Sequence, residues 1–257
     1  MNFSIREMER CRLPEVAFYP YNQSMQIVRM HKWNVSTLEA RGIQEKLASR
    51  VSRECRLKEP RLVAGVDISV NRFSKTGRGA VVVLSYPTLE IMEISTVTDS
   101  VTFPYVPGLL TFREAPLLLA AFEKLKNIPD LILVDGQGIA HPRRIGLASH
   151  LGVVLNIPTI GCAKSRLCGE HDMPGMKAGS YTELEDRGEV IGAVLRTRDG
   201  VKPVYVSIGH MVDLPSAVRW VGACCRGYRL PEPTRLAHQA AGGNLKEVKI
   251  LTAAPKH

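Results

Sequence analysis

Asp67 lies inside the apolar run VAGVDIS, and Asp135 ends the apolar run LILVD just before GQG. A carboxylate in such a setting is costly unless it is paired or holds a cation. Asp before Gly often simply starts a turn, which would account for Asp135 alone. No turn residue follows Asp67 for several positions. On neighbouring strands, roughly 5 Å apart, the two carboxylates can share one cation. Hard oxygen ligands of this kind suit Mg²⁺ or Mn²⁺. Glu114 is a third candidate acid. Its spacing from Thr111 fits a capping box, so it reads either as a helix cap or as a ligand. A helix beginning near Ala115 would place Pro116 in the tolerated first turn and leave Glu114 free at the helix mouth.

Lys164, ending IPTIGCAK, and His141, after DGQGIA, both follow strand ends. Ligands usually bind at that edge of a parallel sheet. Each residue alone reads as an ordinary loop residue; together, near the acids, they would suit phosphate oxygens. Arg143 and Arg144 either add to this or begin a helix in solvent. His238, in TRLAH, reads by itself as a surface histidine on a helix. The chain has no GxxxxGK[ST] loop, no G-x-S-x-G elbow and no HExxH, which counts against NTPase, serine hydrolase and zinc protease chemistry.

The elements that must position these groups follow from periodicity. A helix starts near Ser36, with Glu39 at capping-box spacing and Ala40, Ile43, Leu47 and Val51 as its apolar stripe. RLVAGVDISV, GAVVVLSYP and LEIMEISTV read as an antiparallel meander. EAPLLLAAFEKLK is a helix, LILVD a short buried strand, RRIGLASHLGVVL a helix and IPTIGCAK a strand. That β-α-β alternation predicts parallel strands. Residues 169–190 read as a surface excursion, and EVIGAVLRT with PVYVSIG as a hairpin. DLPSAVRWVGACC is a helix capped by Asp213 and ending before Gly227. A short last helix follows LPEP.

Six cysteines without CxxC spacing point to reduced thiols and a cytoplasmic setting. No run is long and apolar enough to span a membrane, and the N-terminus lacks a signal-peptide apolar region. The formal net charge of +9 suits a polyanion partner and equally a well-solvated basic surface. The expected organisation is an N-terminal extension over residues 1–32, one catalytic domain over 33–241, and a tail over 242–257.

VAGVDIS, PYVPGLLTFRE, LILVDGQGIAHPRRIGLASHLG, IPTIGCAKSRLCG and GYRLPEPTRLAH, in that order across residues 36 to 240, closely resemble endonuclease V of the bacterial type. The resemblance implies an α/β, ribonuclease H-like fold: a mixed central sheet, in which an antiparallel meander is extended by parallel strands, flanked by helices. It implies cleavage of nucleic acid carrying deaminated bases, chiefly deoxyinosine, at the second phosphodiester bond 3′ to the lesion. The products would carry 3′-hydroxyl and 5′-phosphate ends, with Mg²⁺ required and Mn²⁺ able to substitute.

Position by position, the resemblance makes Asp67, Glu114 and Asp135 the metal-binding carboxylates. His238 matches a position beside the metal that is His in some members and Asp in others. Tyr105 falls in the wedge motif, usually PYIPG and here PYVPG, with Pro104 and Pro107 holding it extended. His141 and Lys164 match positions near the phosphates. Gly108, Leu109 and Leu110 on one side, with Gly136 and Gly138 on the other, are the candidate walls of a base pocket. The implied partner is DNA with deaminated bases, or inosine-containing RNA, and the protein is expected to act as a monomer. Two other readings use the same features. Another ribonuclease H-like nuclease, such as a junction resolvase or an RNase, would need no tyrosine wedge. A non-catalytic binder of damaged nucleic acid would need no intact acid set.

Overall fold

The apolar runs form one eight-stranded sheet. A computed structural model describes residues 25–71 and 75–245. β1 (Leu62–Val70), β2 (Thr76–Ser85) and β3 (Ile91–Ser100) make the antiparallel meander. β4 (Leu131–Val134) and β5 (Thr159–Ala163) extend it in parallel from β1. Beyond β5 the sheet turns antiparallel again, through β8 (Val204–His210), β7 (Glu189–Leu195) and β6 (Tyr181–Asp186). The spatial order is β3-β2-β1-β4-β5-β8-β7-β6.

Side chains alternate across a strand, so each strand feeds two cores. Val63, Val82, Leu84, Leu131 and Leu133 face α4 (Leu214–Ala223) and α5 (Glu232–Ala241), packing on Ala217, Trp220, Leu236 and Ala237. Ala64, Val66, Val81, Val83, Ile132 and Val134 face α2 (Leu110–Phe122) and α3 (Leu147–Leu155). α1 (Thr37–Ala48) lies to one side, where Ala40 joins Phe103, Leu109 and Phe112 in a smaller cluster. Its capping box is formed: Ser36 and Glu39 bond each other's backbone reciprocally. Asp213 caps α4 by accepting from the Ser216 N–H at 2.8 Å.

The structure differs from the sequence expectations in several places. α2 begins at Leu110, not near Ala115, with Pro116 inside it and no side chain capping its first turn. Burial of Leu109 and Phe112 against Phe103 fixes that start, so Thr111 is helical and Glu114 is not a cap. α3 begins at Leu147, because the residues before it are held as a loop; Arg144 there has φ 55° and binds the His141 carbonyl at 3.0 Å. The 169–190 excursion contains β6, an edge strand whose mostly polar, exposed side chains gave little periodic signal. α4 stops at Ala223, so Gly227, with φ 78°, shapes the following turn.

Residues 25–32, assigned in the sequence to an extension, lie against the α2/α3 core. Met25 is buried there, and the Val28 N–H bonds the Val154 carbonyl at 3.0 Å. The rest of that extension (1–24) and most of the expected tail (246–257) lie outside the described residues. No described helix is long and apolar enough to cross a membrane.

Candidate active site

The β1–β4 register sets the two aspartates. Val66 pairs with Val134 in parallel, so Asp67, within β1, and Asp135, just past β4, lie side by side on the same face. That face is the one covered by α5, which brings His238 to the same spot. His238 Nδ1 lies 2.6 Å from Asp67 Oδ2. One ligand atom from each of Asp67, Asp135 and His238 falls within 4.8 Å of the others. α5 gets close because Gly65, two residues before Asp67, has no side chain: a Cβ there would lie 1.9 Å from the Pro233 carbonyl oxygen.

Glu114 reaches the same edge from α2, outside that tight trio. Burial, reinforced by the negative charges of Asp67 and then Asp135, raises its pKa to about 8. Burial and Asp67 also raise Asp135, against the opposing pull of Lys164 and His238. Lys164, at the end of β5, forms an ion pair with Asp135 Oδ2. Its own carbonyl is held by Arg229 Nη2 at 2.7 Å, and the same guanidinium binds the carbonyls of Lys202 and Pro203. Carboxylates packed this tightly repel one another unless positive charge lies among them. Lys164 and His238 supply part of it. Two aspartates, a nearby glutamate and an imidazole suit a divalent cation that accepts oxygen and nitrogen ligands.

Tyr105 projects beside this edge, 72% exposed, with Pro104 and Pro107 also exposed on either side. It separates two depressions. One, of about 300 Å³, is bounded by Tyr105, Gly108, Leu110, Gly136, Gln137 and Lys164, and Asp135 opens into it. That volume is at the lower end for small-molecule sites, roughly 300–1,000 Å³, and has room for one base. The other is an open groove of about 820 Å³ that includes Lys75, Arg113 and Glu114.

Some expected pocket residues lie elsewhere. Leu109 is buried in the α1–α2 cluster and does not line the pocket. Gly138 is also buried; a Cβ there would lie 2.0 Å from the Ile208 carbonyl oxygen, so this glycine serves backbone packing. His141 lines the pocket with both ring nitrogens engaged within the protein. Its Nδ1 accepts from the Arg143 N–H at 3.1 Å, which places the proton on Nε2, donating to the Gly108 carbonyl at 2.9 Å. Burial lowers its pKa to about 4, so it is neutral. Sequence reasoning passed over Gln137, whose amide donates to the Ser165 carbonyl at 2.8 Å and ties the β4 and β5 loops together. It also passed over Gln44, a polar residue at helical spacing within the apolar stripe of α1.

A mixed sheet with acids on adjacent central strands, and helices on both faces bringing further groups to them, is the arrangement of a ribonuclease H-like fold. Residues 45–239 match the family model for endonuclease V. A relative named endonuclease V from Dehalococcoides mccartyi is 53% identical over 85% of this chain and 98% of its own length. The crystal structure of endonuclease V from Streptomyces avermitilis superposes with a TM-score of 0.79, at 42% identity, over 86% of this chain and 97% of that one. Endonuclease V from Ciona intestinalis has been crystallised with a 23mer DNA containing an inosine followed by a ribo-adenosine. It superposes at 0.69, with 28% identity, over 81% of this chain and 98% of that one. The chain belongs to the endonuclease V family and is a nuclease.

Proposed function

We propose that the protein is a divalent-cation-dependent endonuclease that recognises deaminated bases, chiefly deoxyinosine. It would hydrolyse the second phosphodiester bond 3′ to the lesion, leaving 3′-hydroxyl and 5′-phosphate ends. The observation that carries this is one continuous site, in which a base-sized pocket opens directly onto Asp135 and Lys164 under an exposed tyrosine. Such an arrangement lets one nucleotide be read while a phosphate a short distance along the strand sits at the acids.

In this reading Tyr105 enters the stack when the damaged base leaves it. Extrusion costs a few kcal/mol, less where pairing is already weak. Pro104 and Pro107 restrict the loop beforehand, so little order has to be gained at insertion. Hypoxanthine presents O6 as an acceptor and N1–H as a donor; adenine presents the reverse. The first amides of α2, at Leu110 and Thr111, border the pocket and have no side-chain cap, and they suit O6. The Gly108 carbonyl is already occupied by protein donors, so it is not the group that reads N1–H. The wrong base would leave buried polar groups unpaired.

Asp67, Asp135, Glu114 and His238 would hold the cation, and Mg²⁺, or Mn²⁺ in its place, supplies Lewis acidity and charge neutralisation there. Lys164 adds positive charge where a phosphate must approach the acids. The test is cleavage-site mapping on matched DNA and RNA strands carrying one inosine, with Mg²⁺, Mn²⁺ or EDTA. Metal-dependent nicking immediately 3′ of the inosine's 3′ neighbour is expected. Cleavage that ignores the inosine, or persists in EDTA, overturns the reading. The DNA and RNA arms identify the preferred substrate.

A further inference from the structure

The Gly108 carbonyl sits at the base of the tyrosine loop, where the backbone turns through φ 78°. It accepts from three side chains: Gln44 Nε2 at 3.1 Å, His141 Nε2 at 2.9 Å and Arg143 Nη2 at 2.8 Å. A carbonyl oxygen has two lone pairs, and an ordinary loop carbonyl needs only one or two donors. These three come from α1 and from the loop joining β4 to α3.

Gln44 is fully buried, and a buried amide is costly unless its bonds are made. Here they are made on every side. Its amide nitrogen donates to the Gly108 carbonyl and to the Ile145 carbonyl at 3.3 Å. Its Oε1 accepts from Arg143 Nε at 2.7 Å. One side chain thus joins the tyrosine loop to the β4–α3 loop, two of the segments that line the base pocket. Gln44 does not itself border the pocket, and its amide keeps no polar atom free for a ligand.

We propose that Gln44 is a specificity-positioning residue: it sets the separation of these two pocket segments before a base arrives. The proposal rests on the nuclease reading above and names what enforces its selectivity. A pocket rejects adenine only if its walls cannot shift to satisfy the wrong donor pattern. Arg143 and His141 hold Gly108 from one loop, and Gln44 locks that contact to α1. Without the amide, the walls can adjust to the wrong base.

The test compares wild type, Gln44→Leu and Gln44→Glu. The leucine removes all three bonds at similar volume. The glutamate keeps the acceptor for Arg143, loses both donors, and serves where the leucine variant does not fold. Two quantities are read: the ratio of kcat/KM for an inosine strand to that for an undamaged strand, and amide hydrogen exchange over residues 104–111. The ratio should fall on the order of tenfold, the scale of one or two hydrogen bonds. The fall should come mainly through a higher kcat/KM on the undamaged strand, with kcat on the inosine strand within about twofold, and exchange should accelerate by a similar factor. Equal slowing on both strands, with an unchanged ratio, marks a purely structural role and overturns the proposal. Unchanged exchange at 104–111 overturns it independently of activity. A wild type that cleaves neither strand defeats the nuclease reading, while the exchange measurement still decides whether Gln44 holds the loop.

Discussion

Asp135 sits where its charge is least welcome: its side chain is largely shielded from solvent, faces Asp67, and is compensated only in part by Lys164 and His238. Asp135→Asn removes that repulsion, so the metal-free variant should melt at the same temperature as wild type or higher. Nicking should fall by at least about a thousandfold, the scale of several kcal/mol of charge stabilisation, while inosine-DNA binding stays measurable by anisotropy. Glu114 makes the complementary pH prediction. Its folded pKa, about 8, stands above its ordinary 4.5. The folded metal-free protein therefore holds a proton that the unfolded chain has released. Stability should decline as pH rises from about 4.5 to about 8, and urea titrations should show Glu114→Gln flattening that slope. If Glu114 holds the cation as proposed, binding must displace the same proton, so calorimetric Mg²⁺ affinity should rise with pH up to about 8.

Among the elements, α5 and the tyrosine loop decide whether the residues meet. Gly65 is the seat of α5. In Gly65→Ala the new methyl would lie 1.9 Å from one Pro233 backbone atom and 2.1 Å from another. Neither is a flexible side-chain end, so the helix must move and take His238 with it. A loss of about 1–3 kcal/mol in chemical denaturation is expected from such overpacking, with weaker cation binding. The tyrosine loop is separable from that chemistry. Tyr105→Ala should reduce the preference for an inosine strand in competition assays more than it slows cleavage of a substrate with the base already unpaired. An unchanged preference would remove the wedge role.

For the molecule as a whole, the excess of basic residues gives association a strong electrostatic part. With a net charge of +9, binding to any nucleic acid should weaken linearly with salt on a log–log plot. On the proposed reading, in which uncharged backbone groups read the base, the preference for inosine should change far less. The two parts of the site also lie on different layers. Asp67 lies within central strand β1 and Asp135 just past the end of β4, Glu114 and the first turn of α2 come from one face, and His238 comes from the helix on the other.

That layering explains what could be read from the chain alone. Asp67 and Asp135 interrupt apolar runs, and such interruptions are visible without a fold because burying a carboxylate is costly wherever the run ends up. The meander, the parallel pair and the capping box of α1 were equally legible, since periodicity and cap chemistry are local. Whether Glu114 caps its helix was not: cap and ligand share one spacing, and only the burial of Leu109 and Phe112 against Phe103 places the helix start far enough back to exclude the cap. Leu109 and Gly138 look like site residues by position, yet the packed structure turns them to core and backbone clearance, while His141 lines the pocket with both ring nitrogens engaged. Gln44 looks like a polar flaw in an apolar stripe until its partners, far away in sequence, arrive. The sequence by itself determined which residues are expensive to bury and which segments repeat with period 2 or 3.6. Only the tertiary structure decided which of those residues face one another, because that depends on contacts whose partners no local spacing specifies.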